Sequence, residues 1–268
     1  MTVSAERQIP GRADRIVTRY LELVDETLPG RIEALYLVGS VALDDYRDGC
    51  SDVDFVALVG SPLSSGEIDR MEVVHRGLLT EVGRPWLDGL YLTWSDLAQS
   101  PNEVQIAPHS LEGQFRRSRS FEANPVTWLT LRNHPLAVRG PVPRVWHDPD
   151  FLRIWTLDNL NSYWTEVAEQ LARVVSRLTE SAIAEAIPWC VSGVARLAYA
   201  RATGEVTSKS GACRYALTLY PERWHPIVLQ ALAIRGGTRP EADPPKPIED
   251  TIAFMRHVIQ VENDRSYA

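Results

Sequence analysis

Residues 13–28 carry Ile16, Val17, Tyr20, Leu21 and Val24 at helical spacing and run into Pro29-Gly30, which predicts an amphipathic helix. A short apolar run at 34–38 predicts a strand that stops at Gly39-Ser40, and a second strand is predicted over 53–59, after the turn-rich stretch 44–51. Residues 65–80 read as a helix and 86–93 as a third strand. Strands and helices in this order predict a sheet with helical cover, α/β or α+β. Four prolines and Gly140 interrupt residues 135–149, where a domain boundary is expected. Beyond it the pattern turns helical, over 151–178, 183–203, 209–219 and 223–234. A second Pro-rich stretch, 240–247, precedes a last helix at about 249–262. The expected class is α+β: a mixed sheet with helices in residues 1–149 and an all-helical domain in 150–268.

Composition narrows this picture. The 268 residues, 44% hydrophobic and 24% charged, supply enough apolar material for one large or two small domains. No apolar run approaches the length of a membrane-spanning helix and the first residues lack a signal-peptide pattern, so the expectation is a soluble cytoplasmic protein without a membrane partner. Cys50, Cys190 and Cys213 lie far apart and show no metal-ligand spacing, and the six histidines show none either. The net charge of −7 resides in the first half: residues 1–150 hold 22 acids against 15 bases, and the remainder 13 against 13. That balance disfavours a nucleic acid bound through a broad basic face and suits a divalent metal or a cationic substrate; a solvated acidic surface is the plainer account.

Candidate chemistry concentrates in residues 35–58, LYLVGSVALDDYRDGCSDVDFVAL. Gly39-Ser40 closes one strand and Asp52-Val53-Asp54 heads the next. Residues i and i+2 of a strand share a face, so Asp52 and Asp54 present two carboxylates side by side, as a hard cation such as Mg²⁺ requires. Glycine permits close backbone approach, and backbone amides with the Ser40 hydroxyl can hold a phosphate. Asp88, a single acid in the otherwise apolar third strand, is costly to bury unless paired or metal-bound, which makes it a third metal-site carboxylate and a candidate general base. Each signal alone has an ordinary reading: Gly-Ser turns are common, and Asp-x-Asp often caps a helix or sits in a solvated loop. Their order along the chain is what points to metal-assisted transfer.

Strand, Gly-Ser, spacer and Asp-x-Asp resemble the nucleotidyltransferase superfamily of the polymerase β type. The stretch 194–209, VARLAYARATGEVTSK, with Ala216-Leu217 and PERWHPIVL at 221–229, is similar to the helical C-terminal domain of the aminoglycoside adenylyltransferases that modify streptomycin and spectinomycin. The resemblance implies ATP and Mg²⁺ as cofactors, with AMP transferred to a hydroxyl of a small molecule, an aminoglycoside or aminocyclitol, and pyrophosphate released. It implies Asp52 and Asp54 as metal ligands, Gly39 and Ser40 as the phosphate turn, and Asp88, where those enzymes usually carry glutamate, as catalytic base. It further implies Arg196 and Lys209 as contacts to the triphosphate on domain closure, His257 as an aromatic nucleotide contact, and Phe115 and Glu185 at the acceptor pocket. A structural ion pair for Arg196 and a surface position after Ser208 for Lys209 are the competing readings. Asp44 stands where many relatives have glycine. Trp155, Trp164, Trp189 and Trp224, in helical patterns, are expected in the core. Two further functions are compatible with the same fold: a toxin–antitoxin nucleotidyltransferase acting on or holding a partner protein, and a non-catalytic nucleotide-binding regulator.

Overall fold

The structure is a computed structural model that describes residues 8–118, 120–238 and 246–265. Helix α1, Gly11–Thr27, buries Ala13, Ile16, Val17, Tyr20 and Val24, the stripe its spacing predicts. The chain turns at Gly30, φ 71°, into strand β1, Ala34–Leu37, and passes through a single helical turn, α2, Gly39–Ala42. Strand β2 is Val53–Val59 and helix α3 is Ser65–Val82, opened by a capping box between Ser64 and Glu67. Strand β3, Leu87–Thr93, is buried along its whole length and is followed by the short helix α4, Trp94–Leu97. A hairpin of β4, His109–Leu111, and β5, Gln114–Arg116, then helix α5, Pro125–Asn133, and strand β6, Leu136–Arg139, complete this part.

The six strands lie in the order β5-β4-β3-β2-β1-β6. Only β2 and β3 are parallel; β1 runs antiparallel to β2 and β6, as β4 does to β3 and β5. Strand alternation divides the apolar side chains between two cores. Leu35, Leu37, Phe55, Ala57, Leu87 and Tyr91 pack with the buried stripes of α1 and α3. Tyr36, Val56, Leu58, Leu90 and Leu92 pack with Leu97, Trp128 and Leu131.

Several elements were not expected. Strands β4, β5 and β6 have three or four residues, too few to display a period of two. β6 lies inside the stretch expected to break regular structure; its preceding proline is tolerated because β6 is an edge strand, and it pairs with β1.

Residues up to His147 and those from Asp148 form two compact units. The second is helical. In place of one helix over 151–178 it has α6, Pro149–Asn159, a π-helical segment Leu160–Trp164 and α7, Thr165–Val174. Helix α8, Glu180–Thr203, carries Pro188 within it and packs against α6 and against α9, Lys209–Leu219, α10, His225–Arg235, and α11, Pro247–Asp264. A Cβ at Gly193 of α8 would overlap the Trp164 ring, so the missing side chain is what lets that tryptophan bury itself. Trp164 is a core residue as expected; Trp189 is not, being 40% exposed. Trp155 and Trp224 are half-buried. No described helix is long and apolar enough to cross a membrane.

Candidate functional site

Strand direction builds the site. Because β1 is antiparallel to β2, the end of β1 lies beside the start of β2, with Leu37 opposite Phe55 and the Val38 N–H donating to the Asp54 carbonyl at 2.9 Å. Because β3 is parallel to β2, its start lies there too, and Asp54 stands opposite Asp88 in register. Alternation turns Asp54 and Asp88 to one face of the sheet, that of Tyr36, Val56 and Leu90. Gly39-Ser40, Asp54 and Asp88 thus share one end of three adjacent strands.

Gly39 has φ 59° and touches the Asp54 carboxylate so closely that a Cβ would overlap Asp54 Oδ2. Glycine meets both demands, the left-handed backbone and the approach. The next residue leaves a polar atom unsatisfied: Ser40 Oγ is buried and has no hydrogen-bond partner among the described residues. A buried hydroxyl in that state costs free energy, and a ligand oxygen would satisfy it. Asp44, φ 53°, takes the left-handed conformation at which glycine is at ease. Asp45 follows, 4% exposed, its N–H donating to the Ser40 carbonyl at 2.9 Å. This buried acid beside the turn was not singled out in the sequence, where Asp44-Asp45 reads as ordinary turn polarity.

Asp52 has a second tie. Its Oδ1 accepts from the Trp86 N–H at 3.0 Å while the Val53 N–H donates to the Trp86 carbonyl at 2.9 Å, fastening the start of β3 to β2. Asp88 is 8% exposed. Its Oδ1 accepts from Ser110 Oγ at 3.2 Å and the Gly113 N–H at 3.2 Å, and its Oδ2 from the Glu112 N–H at 2.7 Å. Burial pushes the Asp88 carboxyl above the usual range, opposed by the Glu112, Gly113 and Ser110 donors and reinforced by the Asp52 charge. Among the described residues no group of three or more His, Cys, Asp or Glu side chains is arranged to hold a metal ion. The three aspartates expected around one magnesium ion therefore do not form such a group: Ser110 and the β4–β5 turn take three of the acceptor positions of Asp88. Asp54, against which the Gly39 turn closes, and Asp52, two residues before it, offer two hard oxygen donors, which suits Mg²⁺, an ion that takes one or two carboxylates together with phosphate oxygens.

Of the other expected site residues, Phe115 does not join this cluster, and Arg196, Glu185, Lys209 and His257 belong to the second unit. Phe115 is opposite Ser110, which is opposite Gly89, so it belongs to the other face of the sheet, where its ring packs on His75 at 5.3 Å and Tyr91 at 6.0 Å. In the second unit Arg196 is half-buried on α8, and Glu185, on the same helix, is exposed. Lys209 is the half-buried first residue of α9, after Ser208, whose Oγ caps the helix by accepting from the Gly211 N–H at 3.0 Å. His257 of α11 stacks on Trp224, ring centroids 5.2 Å apart, with Tyr220 edge-on at 5.7 Å. Burial, and then the Arg223 charge, lower its pKa. Arg117, just beyond β5, pairs with Asp69 and Glu72 of α3.

No protein-family model matches the chain, and no curated protein matches it in sequence. In structure the chain is similar to the spectinomycin adenyltransferase AAD(9) from Enterococcus faecialis, solved with ATP and spectinomycin: the TM-score is 0.65 and the identity 12%, over 92% of this chain and 99% of that one. At that identity the likeness establishes the fold. This chain shares the α+β fold of that structure, a mixed six-stranded sheet with helices followed by a helical unit.

Proposed function

We propose that this protein is a Mg²⁺-dependent nucleotidyltransferase that moves AMP from ATP to a hydroxyl of a small molecule, an aminoglycoside or aminocyclitol. The observation that carries the reading is the unsatisfied Ser40 hydroxyl on the Gly39 turn, set against the Asp54 carboxylate at matching strand ends, in the fold of an enzyme solved with ATP. Asp52 and Asp54 would hold the metal, which when bound offsets the charge of the phosphates and of the leaving pyrophosphate. The Gly39 turn and Ser40 Oγ hold phosphate oxygens. Asp88 accepts the proton of the acceptor hydroxyl as that oxygen bonds to the α-phosphorus, and the bond from the α-phosphorus to the bridging oxygen breaks in line to release pyrophosphate. The cationic acceptor class suits the acidic excess of the first half of the chain.

The test is incubation of purified protein with ATP, Mg²⁺ and streptomycin or spectinomycin, read by mass spectrometry. A product heavier by one AMP is expected. No product across a broad panel of hydroxylated acceptors would overturn the reading.

A further inference from the structure

We infer that Ser110 and the β4–β5 turn are the device that positions Asp88, with Ser110 acting as a positioning residue for the transfer; this rests on the function proposed above. The turn joins Leu111 to Gln114 through Glu112 at φ 53° and Gly113 at φ 70°, a two-residue hairpin loop with both central residues left-handed. Glycine takes that conformation freely, but at Glu112 it carries a steric cost that something else must offset. In such a turn successive N–H groups converge into a concavity that suits an anion. Here the anion is the Asp88 carboxylate, held by the Glu112 and Gly113 amides.

Ser110 supplies the third donor. It is 3% exposed, stands opposite Gly89, the residue after Asp88, and donates through Oγ to Asp88 Oδ1. The bonds are unequally shared. Oδ1 accepts two and Oδ2 one, and a carboxylate oxygen has two lone pairs, so Ser110 and Gly113 fill Oδ1 while the Glu112 amide leaves one acceptor position on Oδ2. Oδ2 is therefore the oxygen that takes the proton, and the turn sets its direction. The turn itself is braced, because Gly113 lies close against the Trp86 ring and Leu79. A hairpin tip ordinarily satisfies its amides with water. Burying a carboxylate to do so, next to Asp54 and near Asp52, serves the carboxylate rather than the turn.

The experiment compares wild type, Ser110→Ala and Ser110→Thr in steady-state AMP transfer, and measures hydrogen exchange at the Glu112 and Gly113 amides in wild type and Asp88→Ala. Ser110→Ala is expected to lower kcat by about tenfold to a hundredfold with the KM for ATP unchanged, and Ser110→Thr, which keeps the hydroxyl, to restore most of it. Both amides should exchange much faster in Asp88→Ala. Wild-type kcat in Ser110→Ala, or equal protection of the two amides with and without the carboxylate, would overturn the inference. If wild type transfers no AMP while protection still collapses in Asp88→Ala, the transfer reading alone falls and the clamp on Asp88 stands.

Discussion

Asp54 and Asp88 stand directly opposite each other on the parallel strands β2 and β3, on one face of the sheet, and they differ in what holds them. Asp54 lies under the Gly39 turn, whereas Asp88 is clamped by a hairpin on its other side. Asp54→Asn is therefore expected to abolish AMP transfer with the fold intact. Asp52→Ala should abolish transfer and also destabilise by about 1–3 kcal/mol, because it strips the Trp86 N–H of its acceptor. Transfer assays paired with urea denaturation separate the two outcomes.

Gly39→Ala places a methyl group where Asp54 Oδ2 now sits and asks an L-residue to hold φ 59°. Displacement of the carboxylate is expected, with a loss of about 1–3 kcal/mol in stability. Nucleotide affinity should fall further than stability does. Calorimetric titration with ATP and Mg²⁺, beside thermal melts, checks this.

His75 is buried between α3 and the sheet, its Nε2 2.7 Å from the Tyr91 hydroxyl, which is 2.7 Å from that of Tyr20. Burial lowers its pKa from 6.5 to about 3. A proton that binds the unfolded chain near 6.5 but the native one only near 3 favours unfolding. Its contribution to stability is thus full above 6.5 and is lost as the pH falls toward 3. His75→Gln should flatten the decline of Tm on acidification across that window, whatever its Tm at neutral pH. An unchanged slope would show that another group controls it.

At Asp44, φ 53°, the backbone is left-handed, a conformation that glycine adopts freely, aspartate at some cost and a β-branched residue at a larger one. Asp44→Gly is expected to be neutral or to stabilise by up to about 1 kcal/mol, whereas Asp44→Val should destabilise by about 1–2 kcal/mol. Denaturant midpoints at neutral pH read both.

Helices α1 and α8 to α11 were legible in the chain because each is long enough for its apolar positions to repeat, and strands β1 to β3 because each is an apolar run bounded by turn residues; both signals are local. The Gly-Ser and Asp-x-Asp stretches were legible for the same reason: their residues are neighbours in sequence. Strands β4, β5 and β6 were not, being too short to declare a period, and neither was the exposure of Trp189, because a helix surface shows its burial only once the other helices are packed.

What folding decided is which distant residues meet. No local pattern says that β3 pairs in parallel with β2, yet that pairing alone sets Asp88 opposite Asp54. Nor does one say that a Glu-Gly turn beyond β3 will return to hold the carboxylate, or that Phe115, close to that turn in sequence, will face the opposite core. Local periodicity specifies the side a residue takes within its own element. Partner and register come from closing the sheet around two apolar cores at once, a condition on the whole unit that no single segment carries.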